Sequence, residues 1–475
     1  GVVTGIAPLT PIQHWFLMED HQEPHHFNQS ILLHIPNDTK PDLLKKAVEE
    51  LVSHHDALRL RFRAQGAEYD QINHGIDDIV PFSFIDLSTT PKLPETQTFE
   101  QIATDFQASL NLGTGPILQV VMFKLGDTCG ARLLITIHHL AVDGVSWRIL
   151  LADLEIIYRQ LSSQQPVQLS AKTTAFIDWA KALKDYAQSE ILKQELDYWL
   201  NQPWSQITSL PLDHVHTQHE NIVGSASSIS ATLDEEETRI LLGEVNETYN
   251  TQVNDILLSA LVLSLEQWTG NPIVVINLEG HGREELFEYV DLSRTVGWFT
   301  SLFPVLLQRP LSAGDLSSTI KSIKEQLRAI PNRGIGYGIL RYLCEDSTVN
   351  QKLQAIPTPE IIFNYLGQFD QEQSETSWRL VPESIGRNRS LTQNRNYLLD
   401  INALVVEGKF QVSWTYSKNI HDHTTVEKLS QSYLQAIRSL IEHCKLEDTF
   451  GYTPSDFPDA QLDQIEIDEI LESLQ

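Results

Sequence analysis

The stretch His138-His139-Leu-Ala-Val-Asp143-Gly144-Val-Ser146-Trp147 gathers the side chains of this chain best suited to moving a proton. An imidazole titrates near neutrality and can act as general acid or base. A histidine pair alone is a weak signal, since His25-His26 and His54-His55 also occur. The setting of the third pair is what distinguishes it. The β-rich run Arg132 to His139 enters a turn at Ala141 to Gly144, and Ile149, Leu150, Leu154 and Ile157 then recur at helical spacing, with a helix cap expected near Ser146. Neighbouring residues on a strand face opposite ways, so one histidine enters a cleft while the other supports it from the core. Asp143 is expected to fix the turn by pairing with an arginine, with Arg59 as the candidate. Two histidines of opposite orientation and one aspartate converge poorly on an ion, so no metal site is read here.

Two further clusters carry chemistry. The strand Ile273 to Leu278 delivers Glu279 to its end, where Gly280 and Gly282 let the chain turn away and leave room for a ligand. Glu279 is therefore a candidate base, against the plainer reading of a surface glutamate held by Arg283 or Arg294. The strand Ile361 to Phe363 ends in Asn364 and Tyr365, able to donate hydrogen bonds to a carbonyl oxygen or exchange a proton, against a simply packed tyrosine. Gly334, Gly336 and Gly338 do not have dinucleotide-loop spacing, and no nucleotide site follows.

The elements that must hold these groups are legible in outline. Asp42 to Ser53 has helical periodicity, and Leu58, Leu60 and Phe62 alternate with Arg59 and Arg61 as in a strand. Periodicity lapses between Gln202 and Gly224, around Pro203, Pro211, His214, His216 and His219, which marks a junction. It resumes with a helix over Asn254 to Trp268 and a strand pair, Tyr397 to Val405 and Lys409 to Tyr416, turning at Gly408. Both halves read as α/β. The expected division is 1–205, 206–455 and a tail at 456–475, whose Leu462, Ile465, Ile467, Ile470, Leu471 and Leu474 suggest a short amphipathic helix that meets the body or a partner.

The bulk numbers bound the rest. A chain of 475 residues with 41% hydrophobic and 20% charged residues can bury a large core. Its formal net charge of −29 repels nucleic acid and anionic membrane surfaces. Cys129, Cys344 and Cys444 are too few and too far apart for a disulfide framework, and no apolar run is long enough to span a bilayer, so a cytoplasmic location is expected. The opening Gly1, with Met18 and Met122 the only methionines, suggests a piece of something longer.

The histidine stretch resembles the shared signature of condensation and epimerization domains of non-ribosomal peptide synthetases, in the chloramphenicol-acetyltransferase-like superfamily. Its extension Val145-Ser146-Trp147-Arg148-Ile149-Leu150 is similar to epimerization domains in particular. Further stretches agree with that subfamily in order: Pro11 to Phe16, Asn277 to Glu284, Thr295 to Thr300, Gly334 to Gly338, and Phe363 to Phe369. The resemblance implies two lobes forming a V-shaped pseudo-dimer with a tunnel between them. It implies inversion of the α-carbon of an aminoacyl or peptidyl thioester by acid/base proton exchange, with His139, Glu279 and Tyr365 catalytic and His138, Asp143, Gly144, Ser146, Trp147 and Asn364 supporting. The preferred assignment has Glu279 abstracting the proton and His139 or Tyr365 protonating the opposite face, with Asn364, Tyr365 or backbone amides near His139 stabilising the enolate. The substrate would arrive on the phosphopantetheine of an upstream peptidyl carrier protein in the same chain and pass to a downstream condensation domain. No cofactor would be bound by this domain itself, and the isolated chain would be monomeric. Two alternatives stand: a condensation domain, which would not need Glu279, and a non-catalytic docking module, which would have lost the histidine or the glutamate.

Overall fold

The computed structural model describes residues 1–19, 21–66, 68–77, 79–88, 95–126, 130–215, 220–310, 315–369, 378–446 and 450–473. Cys129, His216, His219 and Leu474 lie outside them. The alternating apolar positions of the first half build a mixed five-stranded sheet. Its order is Arg379–Leu380, Asn28–Ile35, Ala131–His138, Leu118–Lys124 and Phe82–Asp86, with only the last pair parallel. The second half builds a six-stranded sheet in the order Ser301–Gln308, Ile273–Gly280, Ile361–Phe369, Leu399–Val406, Lys409–Ser417 and Ala226–Thr232. There Ile361–Phe369 lies parallel to both its neighbours, as crossover connections require. A small sheet of Gly5–Ala7, Glu68–Asn73 and Leu60–Gln65 completes the β structure.

The expected helices and strands form at or near their anticipated places. Pro41–His54 packs against Gly144–Ser162, and Val253–Thr269 against His423–Cys444. The Leu399–Val406 and Lys409–Ser417 hairpin turns through Glu407 and Gly408, both at positive φ. One contiguous core joins the two halves, from Phe16 and Leu140 through Trp179 and Trp199 to Phe303 and Trp414.

Two features depart from a clean division of the chain. The first is the strand Arg379–Leu380, which belongs to the second half in sequence but pairs with Leu33 and His34 of the first half's sheet. The chain then runs along the first half's edge, where Asn28 N donates to Asn388 O at 2.9 Å and Phe27 forms a bridge with Arg389. The second is the tail. Its helix Gln464–Ser473 lies on the body, with Ile467 buried and Asp468 paired to Lys321 at 3.1 Å.

Candidate active site

Strand alternation separates the two histidines. His138 is fully buried: its Nε2–H donates to Pro24 O at 2.8 Å, and its Nδ1 accepts from Leu140 N at 3.1 Å. Burial pushes its pKa down to about 3, so it is a neutral structural group. His139 begins the turn that follows and is only partly buried. Its Nδ1 lies 2.8 Å from Val142 O, which fixes the proton on Nδ1 and leaves a lone pair on Nε2. That Nε2 sits 3.2 Å from the Gln29 amide nitrogen, and Gln29 Oε1 in turn accepts from Trp147 Nε1 at 2.9 Å. Trp147 therefore sets the Gln29 amide, and Gln29 sets the imidazole. The ring also stacks on Trp298 at 4.1 Å and on Phe27 at 5.5 Å. Burial lowers its pKa to about 4 against the opposing Val142 hydrogen bond, with the Arg389 charge lowering it further.

Asp143 does not meet Arg59. That arginine is buried beside its own loop, donating to Asp56 Oδ1 at 2.8 Å and to His74 O, because the short helical turn Asp56–Arg59 bends it back before the strand starts. Asp143 is the N-cap of Gly144–Ser162, with Oδ1 accepting from Ser146 N at 2.8 Å, so the cap lies three residues before Ser146. The same carboxylate accepts from Arg283 at 3.1 Å and from Phe299 N at 3.2 Å. Ser146 Oγ donates to Gly297 O at 2.9 Å, and Arg283 lies over the Phe299 ring at 4.0 Å. Asp143, Ser146 and Arg283 thus form one buried latch between the histidine turn and the segment Thr295 to Thr300. Gly144, next in line, is exposed, and a Cβ built on it would meet nothing within 4 Å.

Glu279 stands at the end of its strand, and neither Arg283 nor Arg294 holds it. Arg283 is spent on Asp143 and Arg294 on Asp153. Instead Asn364 Nδ2 donates to Glu279 Oε2 at 2.9 Å, as lateral pairing of Phe363 with Leu278 on the neighbouring parallel strand requires of the next position along. Solvent reaches the carboxyl, yet protein surrounds it on its other sides. That desolvation pushes its pKa up to about 7, with Arg389 pulling it down and Asp400 pushing it up. The turn after it needs glycine at Gly282, where φ is +70° and a Cβ would lie 1.6 Å from Phe299 O.

The sheet does not bring Tyr365 to this group. Alternation puts Asn364 with Glu279 on one face and Tyr365 with Phe363 on the other, beside Ala403 and packed against the core. Tyr365, expected as a catalytic proton donor or as one of the alternative donors to the enolate oxygen, thus lies on the face opposite Glu279, and the donor of Asn364, another of those alternatives, is engaged by Glu279.

Sequence reading missed the residue that links the two sides. Arg389 arrives on the crossing segment, with its guanidinium 4.3 Å from the centre of the Phe27 ring, and its charge acts on both His139 and Glu279. No local pattern announces it, because a long-range bridge to Phe27 delivers it. Gln29 is equally silent, whereas Trp298 lies inside a quoted motif without an assigned contact. Among the described residues, His54, His55 and Asp153 form one group with metal-ligand geometry, outside this site. His55 Nε2 bonds Asp153 at 2.8 Å and Arg294 pairs with the same carboxylate, so two of its three members already hold each other.

Residues 3–462 match the condensation-domain family. The chain belongs to that family. It is 46% identical over 475 residues to one of the proteins that make up linear gramicidin synthase in Brevibacillus parabrevis, a match covering 99% of this chain and 6% of that protein. It is 39% identical over 486 residues to gramicidin S synthase 1 of Brevibacillus brevis, covering 100% of this chain and 43% of that one. The chain therefore spans a minor part of these relatives. Among solved structures, the epimerization domain from the third module of tyrocidine synthetase B superposes with a TM-score of 0.86 at 38% identity, covering 94% of this chain and 99% of that one. The condensation domain of the monacolin K polyketide synthase superposes at 0.71 with 16% identity, covering 95% and 99%, which shows the shared fold alone. The α/β architecture expected from the resemblance is thus the one this condensation-family domain has. No helix among the described residues is long and apolar enough to cross a membrane.

Proposed function

We propose that this condensation-family domain inverts the α-carbon of an acyl thioester carried on the phosphopantetheine arm of a carrier protein. The observation that carries the reading is Glu279, a carboxyl tuned to about 7 that an Asn364 hydrogen bond holds in place. Inversion needs a proton removed from one face and another returned to the opposite face, hence two acid/base groups. Condensation needs only the histidine side. The likeness to the tyrocidine synthetase epimerization domain, at 38% identity over 94% of this chain, supports the same choice.

The protonation states refine the roles. His139 is neutral, its Nε2 lone pair engaged only by the 3.2 Å contact with the Gln29 amide, while Glu279 is about half protonated at neutral pH. A pair sharing one proton therefore holds it on Glu279. His139 then takes the α-proton and Glu279 delivers one to the other face, the reverse of the order expected from sequence; the return reaction exchanges the roles. Charge developing on the thioester oxygen faces Arg389 and the exposed Gly144 and Val145 amides that open the helix Gly144–Ser162. The open space at Gly144 allows that approach. Because no step requires a metal or nucleotide, activity is expected to persist in chelator. The upstream carrier and the downstream condensation domain follow from the same reading, in keeping with relatives much longer than this chain.

The test is to load an L-configured acyl group on a carrier protein and incubate it with the domain in deuterated water. Deuterium at the α-carbon with D-configured product is expected. Amide formation with a second loaded carrier, without exchange, would overturn the proposal in favour of condensation.

A further inference from the structure

The tautomer of His139 fixes the direction of every hydrogen bond in the chain of contacts that ends on it. Nδ1–H donates to Val142 O, so Nε2 can only accept. At the other end the Trp147 indole N–H can only donate, which turns the Gln29 carbonyl toward Trp147 at 2.9 Å and the Gln29 amide nitrogen toward His139 Nε2 at 3.2 Å. The sheet dictates this meeting. Gln29 lies opposite Ile137 in the antiparallel ladder, and His139, two residues beyond Ile137, shares that face, so the glutamine reaches it diagonally. Asn28 and Ser30 point to the other face, where both bond Gln107. Gln29 itself is only partly buried. Among the described residues its side-chain amide has His139 Nε2 as its one acceptor, so one of its two N–H groups is uncommitted.

This arrangement holds only while Nε2 is bare. Once Nε2 takes a proton, an imidazolium N–H faces an amide nitrogen that has only N–H groups to offer. Neither partner can turn away. A flipped amide would set its own N–H groups against the indole N–H of Trp147, and the imidazole is kept in plane by the Val142 bond and the Trp298 stack. The amide therefore loses its acceptor at the moment of proton transfer. In the proposed reaction the Cα–H bond breaks and its proton goes to Nε2. The electron pair left behind enters the bond between Cα and the thioester carbon, and the carbonyl π pair moves onto oxygen. That oxygen is two bonds from the carbon aimed at Nε2, which sets it beside the amide that has just been released. The step that removes one acceptor from Gln29 creates an anionic one.

We infer that Gln29 is a further catalytic residue, whose side-chain amide passes from His139 to the thioester oxygen and stabilises the enolate, with Trp147 as the positioning residue that keeps its N–H groups turned to the site. The inference rests on the proposed epimerization. The experiment measures α-deuterium incorporation into a carrier-loaded L substrate as kcat and KM over a range of pH, for the native domain, Gln29→Met and Gln29→Glu. Gln29→Met is expected to lower the plateau kcat about a hundredfold to a thousandfold with little change in KM, as loss of a donor used only in the transition state does. Its acid limb is expected to move to higher pH, because the lost bond favoured the neutral imidazole. Gln29→Glu keeps the shape and the Trp147 bond but puts an acceptor where the donor stood. It is expected to lose at least as much, and keeps the inference testable should Gln29→Met fold poorly. On the plateau His139 is neutral in every protein, so a kcat that recovers to the native value there would reduce Gln29 to a tuner of the imidazole. That result, or an acid limb that stays in place, would overturn the inference and leave epimerization standing. Absence of exchange in the native domain would instead overturn the underlying reading.

Discussion

Replacing Arg389 by glutamine should reshape the pH profile of the reaction. The guanidinium lowers the pKa of both His139 and Glu279, because a cation disfavours the imidazolium and favours the carboxylate. With values of about 4 and about 7, the singly protonated pair is the dominant form between those limits. Above pH 7 it is lost about tenfold per unit, so native kcat/KM should fall along that slope on the alkaline side. Without the cation both groups hold their protons more tightly. The alkaline limb should then move upward by roughly one pH unit, the low end of what one opposite charge does. The plateau should fall by about a hundredfold to a thousandfold, because the same guanidinium faces the developing enolate oxygen. The assay is α-deuterium incorporation from a carrier-loaded substrate at a series of pH values, with Arg389→Lys expected to restore the limb. A limb that stays in place, or moves toward acid, would refute the electrostatic reasoning.

Other outcomes follow from the same contacts. Asp143→Ala removes a helix cap and leaves Arg283 buried without its partner, and should cost about 3 to 5 kcal/mol, visible as a lower unfolding midpoint. Gly282→Ala forces a Cβ onto Phe299 O at a left-handed φ, and should lose both stability and exchange activity, read by thermal melting and the deuterium assay. His138→Ala strips two buried hydrogen bonds and should lower stability by about 2 kcal/mol, with exchange retained in the protein that stays folded.

Much of this is legible in the chain because the informative residues sit in short local patterns. The strand-turn-helix around His138, His139 and Gly144 follows from hydrophobic spacing, and Glu279 falls at a strand end for the same reason. The cap could have been read as Asp143, since aspartate precedes the helix by one residue. The opposite faces of Asn364 and Tyr365 are implicit in adjacency on a strand, and the structure enforces what alternation already requires. Arg389 and Gln29 are not legible, because their places depend on pairing between strands far apart in sequence. A nearby strand suggests Arg59 as the partner of Asp143, while the actual one, Arg283, reaches it from a turn 140 residues later.

That His139 and Glu279 act as opposed acid and base on one carbon is tested most directly by Glu279→Gln, which keeps the shape and the Asn364 contact surface while removing the titrating group. In deuterated water with a carrier-loaded L substrate, the variant should form D-configured product about a thousandfold more slowly than the native domain, consistent with loss of one proton-transfer group worth about 10² to 10⁴. D product forming at a native rate would contradict that assignment.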